Sequence, residues 1–247
     1  MTKKKHFLFY LLLYFLVASC NSDDNKQFTE TSLEMTLVNR EFVLDNVIAC
    51  AASNESLNAI SIFLYPREGV DNISFYETAS VETDKNDFST YLKGEGELID
   101  VFNGYLLKYE ISPENEKWII VTFEEEGKIH LSNPIRLKQI TKPTEYLPEN
   151  ITVEKSSSMP IFSWQDGMFN DSKIYFHVVS DENGNLLSGT YTFEKLFQYY
   201  NLNNVVLNIT EQEPPDLEIG SAYNFTLLAV SEDNWVNLFS EIAFNVQ

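Results

Sequence analysis

One stretch decides the fold of the C-terminal half of the chain, Leu217-Glu218-Ile219-Gly220-Ser221-Ala222-Tyr223-Asn224-Phe225-Thr226-Leu227-Leu228-Ala229-Val230. A glycine-containing turn comes first, and an aromatic and aliphatic run follows it. Side chains of a β-strand point to opposite faces in turn, so Phe225, Leu227 and Ala229 share one face. The pattern predicts a strand that buries this face in a core.

The same stretch resembles the E–F corner and F strand of a fibronectin type III domain. In that family a leucine, a glycine-containing turn and a tyrosine form a tyrosine corner, whose hydroxyl bonds to upstream backbone. Leu217, Gly220 and Tyr223 match these positions, and Trp164 matches the core tryptophan of the second strand. The resemblance implies a β-sandwich over residues 151–247.

Residues 32–140 follow the same strand–turn–strand pattern, with a clear hairpin whose strands flank Glu124-Glu125-Glu126-Gly127. We expect an immunoglobulin-like sandwich here, followed by a stiff linker at 141–150 that contains Pro143 and Pro148. The fold class is therefore all-β, with two tandem immunoglobulin/fibronectin III-like β-sandwiches. Two local predictions accompany it: a single strand over Phe42 to Ala52, and a short inserted helix within Thr190 to Asn201.

The N-terminus reads as a secretory signal. Three lysines precede an unbroken apolar run from Phe7 to Ala18, which as a helix would span about 18 Å, too short for a bilayer core of ~30 Å. Val17-Ala18-Ser19-Cys20 resembles the lipobox of bacterial lipoproteins. The resemblance implies cleavage after residues 1–19, acylation of Cys20 and anchoring in a membrane by lipid, with residues 20–31 as a disordered tether. A plain secretory signal and an uncleaved anchor are the alternatives.

The acidic tract after Cys20 indicates where in the cell envelope the protein is located. Ser22-Asp23-Asp24 resembles the surface-export signal of Bacteroidetes-type outer-membrane lipoproteins. That resemblance implies an outer-membrane protein, lipid-anchored and facing the extracellular side. An ordinary acidic, disordered tether is the alternative.

Charge narrows the range of partners. Removing residues 1–19 takes away three of the 17 basic residues and none of the 37 acidic ones, which leaves a net charge of −23. Such a surface repels phosphate backbones, so we expect no nucleic-acid partner. It also repels anionic lipid, so contact with the membrane must come through the lipid on Cys20.

The sequence contains no recognisable catalytic or metal-binding motif. Cys50 is the only cysteine after Cys20 and lies in an apolar run, so we interpret it as a small buried hydrophobe. His130 and His177 lack a partner motif, and the acidic runs lack the oxygen spacing of a calcium loop. We therefore predict no enzyme, no cofactor and no metal. A glycan hydrolase with an unrecognised carboxylate pair is the remote alternative.

Candidate ligand-binding residues lie in the predicted F–G loop, because loops at the ends of sandwiches carry binding. An exposed Trp235 could stack on a sugar while Asp233 and Asn234 bond its hydroxyls, with Phe239 close behind. Alternatively, Trp235 covers the core or packs on the neighbouring domain. The same two alternatives apply to a pair on the predicted inserted helix, Tyr199 and Tyr200.

Three functions remain open. The first is a surface lipoprotein that binds or presents a glycan or a protein, by resemblance to the tandem-sandwich lipoproteins of glycan-uptake systems. The second is a structural or assembly subunit of an outer-membrane complex. The third is the hydrolase. Exposed aromatic residues around one cleft would favour the glycan ligand, and an exposed apolar patch would favour the assembly subunit.

Overall fold

The computed structural model describes residues 32–55, 59–154, 158–210 and 213–247. The predicted signal peptide, the lipobox with Cys20 and the tether lie outside these residues. Within the described ranges the protein is mainly β, with one short α-helix, α1 (Leu33–Leu37), and two 3-10 turns, Phe88–Thr90 and Pro148–Asn150. None of its helices there is long and apolar enough to cross a bilayer.

The first ten strands form two sheets that pack as a sandwich. Their bounds are β1 (Phe42–Val47), β2 (Ala49–Ser53), β3 (Ile60–Leu64), β4 (Asp71–Glu77), β5 (Leu92–Lys93), β6 (Leu98–Val101), β7 (Leu106–Ile111), β8 (Trp118–Glu125), β9 (Lys128–Ser132) and β10 (Ile135–Arg136). One sheet has the order β1-β9-β8-β4-β5, with β10 also on β8, and the other has the order β2-β3-β7-β6. These are the pairings of an immunoglobulin-like sandwich.

The predicted single strand over Phe42 to Ala52 is wrong, because the chain changes sheets at Ile48. β1 pairs in parallel with β9, whereas β2 pairs antiparallel with β3 in the opposite sheet. Only Asp45 and Asn46 interrupt the apolar residues of this stretch, and they lie before Ile48, so the sequence pattern alone does not reveal the crossing.

The predicted hairpin is confirmed. β8 and β9 pair directly, and Glu126 and Gly127 between them both have positive φ, of 50° and 78°. Pro134 interrupts the ladder after β9, and the pairing with β8 resumes at Ile135, opposite Ile119. Proline cannot donate to a ladder, so the break occurs where its chemistry requires one.

The last eight strands form the second sandwich. Their bounds are β11 (Ile151–Glu154), β12 (Ile161–Trp164), β13 (Ser172–Asp181), β14 (Leu186–Thr192), β15 (Leu196–Gln198), β16 (Val205–Asn208), β17 (Ala222–Ser231) and β18 (Val236–Asn245). They pair as β11-β12-β15 and β16-β14-β13-β17-β18. The prediction of an all-β chain built from β-sandwiches is confirmed.

The E–F corner has the geometry of a tyrosine corner. The hydroxyl of Tyr223 accepts a hydrogen bond from the backbone N–H of Glu218 at 2.9 Å. Gly220 has a φ of +87°, which side chains rarely tolerate, and Leu217 is buried beside it. Trp164 is buried in the same core, where its ring packs against Tyr175 and Phe225.

The predicted helix within Thr190 to Asn201 is wrong. β14 continues to Thr192, and β15 then pairs antiparallel with β12. Phe197 and Tyr199 alternate into the core, whereas Phe193 and Leu196 are exposed. The aromatic spacing fits a helical period as well as a period of two, and tertiary burial selects the strand.

Candidate functional site

The two sandwiches meet through a sheet that is buried on both faces. The inner face of β13 and β17 packs in the core of the second sandwich, and their other face forms a separate apolar cluster with residues of the first sandwich. Side chains of this junction cluster come from both sandwiches: Ala52, Leu106, Phe176, Val178, Leu228, Val230 and Val236. A strand buried on both faces reads as a continuous apolar run, which is the pattern of Phe225 to Val230.

The side chain of Trp235 connects the two sandwiches at this junction. The residue ends the loop between β17 and β18, is 0% exposed, and lies in the apolar cluster of the first sandwich. Its Nε1 donates a hydrogen bond to the carbonyl of Lys142 at 2.8 Å. Stacking on a sugar needs an exposed ring, so the prediction that Trp235 stacks on a sugar is wrong. The ring packs on the neighbouring sandwich, because that core offers both apolar area and a carbonyl acceptor.

Residues close to Trp235 in sequence also make contacts at the junction. The carboxylate of Asp233 pairs with Lys138, just before the linker, at 2.7 Å. The carbonyl of Asn234 accepts from Ala51 N–H at 3.0 Å. Phe239 packs against Tyr146, with ring centroids 5.5 Å apart. The structure thus brings these predicted residues together, but in contacts within the protein.

The predicted linker is held on both sides. Ser53 and Thr144 exchange two hydrogen bonds from backbone N–H to side-chain hydroxyl, at 2.9 and 2.8 Å. The hydroxyl of Tyr146 donates to the carbonyl of Ser53 at 2.8 Å. Glu145 N–H donates to Asn237 O in β18 at 2.9 Å. The segment between the sandwiches is therefore part of the junction.

Tyr199 and Tyr200 lie elsewhere. Tyr199 is buried in the core of the second sandwich, and its hydroxyl donates to the carbonyl of Pro215 at 2.7 Å. Tyr200 is partly exposed, and its hydroxyl donates to the carboxylate of Glu213, which raises the pKa of the phenol. The structure does not bring the two tyrosines to Trp235. A buried Tyr199 offers no stacking face, so its predicted role in binding is corrected.

A cleft of about 400 Å³ opens beside the junction cluster, and sequence reasoning missed it. Its walls are mainly apolar and come from both sandwiches, and its polar groups include the thiol of Cys50, the hydroxyl of Tyr191 and three asparagine amides. Residues far apart in sequence form the cleft, so no local sequence motif predicts it. The only sequence signal is the doubly apolar character of β13 and β17.

Cys50 and His177 are held in uncharged forms. Cys50 is partly accessible at the cleft rather than fully buried as predicted, and its apolar surroundings raise the pKa of the thiol to about 12, which keeps it protonated at neutral pH. Burial lowers the pKa of His177 to about 3, and its Nδ1 shares a hydrogen bond with the Thr190 hydroxyl at 2.8 Å. Both groups are part of the packing.

A second surface lies at the free edge of the second sandwich. β16 pairs only with β14 among the described strands, and four exposed apolar side chains surround Asn204 next to it. We call them the β16 edge surface: Phe193, Leu196, Leu202 and Val206. The Nδ2 of Asn204 donates to the carbonyl of Leu196 at 2.7 Å, and the pairing of Thr192 with Val205 brings Phe193 alongside. Leu202 and Val206 lie two residues to either side of Asn204.

Within the ranges that the structure describes, no set of three or more histidine, cysteine, aspartate or glutamate side chains is placed to hold a metal ion. The absence of a metal site stays a prediction for the chain as a whole.

Comparison with known proteins gives no family. No family model and no curated protein matches the chain. Similar solved structures include the FN1–FN3 domains of chicken CNTN1 (13% identity, 84% of this chain, 68% of that chain, TM-score 0.27). Others are the BSP domain of a biofilm associated protein (14%, 82%, 29%, 0.27) and the chicken interferon gamma receptor alpha chain (10%, 82%, 97%, 0.26). At these TM-scores the similarities support no inference about function.

Proposed function

We propose that this chain is a lipid-anchored outer-membrane protein, facing the medium, that binds a protein partner through the β16 edge surface. The observation that carries the binding role is this open strand edge with Phe193 64% exposed beside it. An unpaired edge offers backbone N–H and C=O groups to another strand, and apolar side chains next to it supply area to bury. The lipobox at Cys20 supports the anchoring role.

A protein ligand has more support than a glycan. Trp235 and Tyr199, the rings predicted to stack on a sugar, are buried, and the exposed ring of Phe193 lies with the aliphatic side chains of the β16 edge surface, which suit a protein partner. Two copies of the mature chain, each with a net charge of −23, repel one another, so the partner is a different protein. Its docking surface is apolar, and it carries an extended segment that adds to β16.

A photoreactive amino acid at Val206, introduced in living cells that are grown alone and in mixed culture, tests the docking role. We expect one discrete adduct with another protein, because Val206 lies at the free edge. The aspartate variant Phe193→Asp should reduce its yield by about five-fold or more, as loss of a ~1 kcal/mol interface contact does. The control position is Ile219, which is 78% exposed in the E–F corner. The same bands from Ile219, no adduct, or adducts only with other copies of this chain would contradict the proposal.

The assembly-subunit function rests on the same surface. An apolar patch at a strand edge suits a permanent envelope partner as well as an external one. Cells grown alone distinguish the two, because a permanent partner forms its adduct under these conditions and an external partner does not.

Substitution of Cys20 tests the anchor. In Cys20→Ala we expect incorporation of labelled palmitate to fall to background and the protein to leave the membrane fraction. Each buried CH₂ of an acyl chain contributes ~0.8 kcal/mol, and the protein surface is acidic. The matched control is Cys50→Ala, which removes the other cysteine and should keep both label and membrane association. Label that persists in Cys20→Ala would refute acylation at this residue.

A further inference from the structure

We propose that the cleft between the sandwiches binds a small, uncharged, mainly apolar molecule that carries a hydrogen-bond acceptor, such as a carbonyl oxygen. Its volume of about 400 Å³ is within the range of small-molecule sites, ~300–1,000 Å³. The cleft adjoins the β16 edge surface at Leu207 of β16 but shares none of its four side chains, so the proposal goes beyond the proposed function.

The apolar walls come from strands of different sandwiches. Phe63 and Leu64 of β3 line one side, and Phe176 and Leu228 of β13 and β17 line the other. The site therefore exists only while the two sandwiches are docked. A concave apolar site with few polar groups favours a ligand that removes apolar surface from water.

Tyr191 supplies the specific polar contact. Its ring stacks on Phe176 at 4.5 Å, and its hydroxyl has no hydrogen-bond partner anywhere in the described ranges. Burial raises the pKa of this phenol well above its ordinary value, and nearby Cys50 adds to the effect. The phenol thus stays a donor at physiological pH. The hydroxyl is not among the fully buried polar atoms, so water reaches it in the cleft, and a ligand acceptor would take the place of that water.

The charged groups that line the cleft disfavour an anionic ligand. The guanidinium of Arg67 is paired with Glu125 at 2.7 Å and bonded to Asn46, so its charge is already balanced. The carboxylate of Asp45 also lines the cleft and repels anions, and the remaining polar side chains there include the neutral amides of Asn133 and Asn234. With a net charge of −23 on the mature chain, an anionic ligand would be repelled.

The test uses prodan, a neutral naphthalene dye with one ketone, and the full chain with Cys20→Ala in detergent-free buffer. We expect saturable, blue-shifted emission from one site. The variant Leu207→Trp fills the cleft and should weaken binding by about ten-fold or more, whereas Tyr191→Phe should weaken it by about five-fold, as loss of one hydrogen bond does. The matched control is Leu196→Trp, which makes the same change at a side chain equally exposed but outside the cleft (44% against 41%).

Three results would overturn the proposal. The first is an absence of saturable prodan binding. The second is equal affinity in Leu207→Trp and Leu196→Trp, which would place the dye on another surface. The third is tighter binding of the anionic dye 1-anilinonaphthalene-8-sulfonate than of prodan, which would exclude a site for uncharged molecules. Unaltered affinity in Tyr191→Phe would remove the hydroxyl from the recognition of the ligand.

Discussion

Replacing Trp235 with alanine is expected to lower the free energy of unfolding by about 3–5 kcal/mol, the range for loss of a large buried aromatic side chain. The indole is 0% exposed and lies in the core of the first sandwich, although its loop belongs to the second. The substitution also removes the donor to the carbonyl of Lys142. One change in a loop therefore weakens both a core and the linker.

Urea unfolding followed by circular dichroism measures this loss, and hydrogen exchange locates it. We expect faster exchange at Ala51 and Arg136 of the first sandwich, because their N–H groups bond the carbonyls of Asn234 and Asp233 in the Trp235 loop. The matched control is Trp118→Ala. That indole also donates to a backbone carbonyl, of Val81, but it is only partly buried and lies outside the junction. A loss below about 1 kcal/mol in Trp235→Ala would contradict burial of the ring.

The second large effect is a loss of stability in acid caused by His177. Its imidazole is 1% exposed, and its ring lies 4.2 Å from that of Phe197. Burial lowers the pKa to about 3 from 6.5. Between pH 6.5 and about pH 3 the imidazole is protonated in the unfolded chain but not in the folded chain. The contribution of His177 to the free energy of unfolding is therefore fully present above pH 6.5 and decreases as the pH falls below that value. The loss approaches ~1.4 kcal/mol per pH unit, or about 2–3 kcal/mol by pH 4.5.

The free energy of unfolding, measured in urea at intervals between pH 7.5 and 4.5, tests this linkage. In His177→Phe the slope over this window should be much shallower, because the titrating group is gone. Thr190→Val is the control, since it removes the hydroxyl partner of the imidazole but leaves the imidazole itself. It should lower stability at every pH and keep the slope. An equal slope in His177→Phe and the unsubstituted chain would show that His177 is not the group responsible.

Local patterns predicted the parts of the fold that depend on neighbouring residues. The hairpin at Glu126-Gly127 follows from turn chemistry flanked by apolar strands. The second sandwich follows from the alternation after Gly220. In both cases the information lies within about a dozen residues, which is the length over which periodicity is informative.

Long-range contacts decided the features that the sequence did not reveal. The crossing at Ile48 depends on the strands available for pairing, because β1 pairs with β9 in one sheet and β2 pairs with β3 in the other. Trp235 sits among polar loop residues, which is typical of an exposed loop, but its partners are the first core and Lys142, 93 residues away. The cleft needs β3 and β14, whose residues are more than a hundred positions apart. Only the doubly apolar run in β17 pointed to a second packed face.

Surface display of a lipid-anchored chain is tested most directly by protease treatment of intact cells, with Cys20→Ala and a periplasmic marker protein measured in parallel. We expect protease to digest the unsubstituted protein while the marker survives. The Cys20→Ala variant should be absent from the cell-surface protein that the protease removes. Protection of the protein until the outer membrane is opened would contradict the surface role inferred from Ser22-Asp23-Asp24. The β16 edge surface would then face a partner inside the envelope.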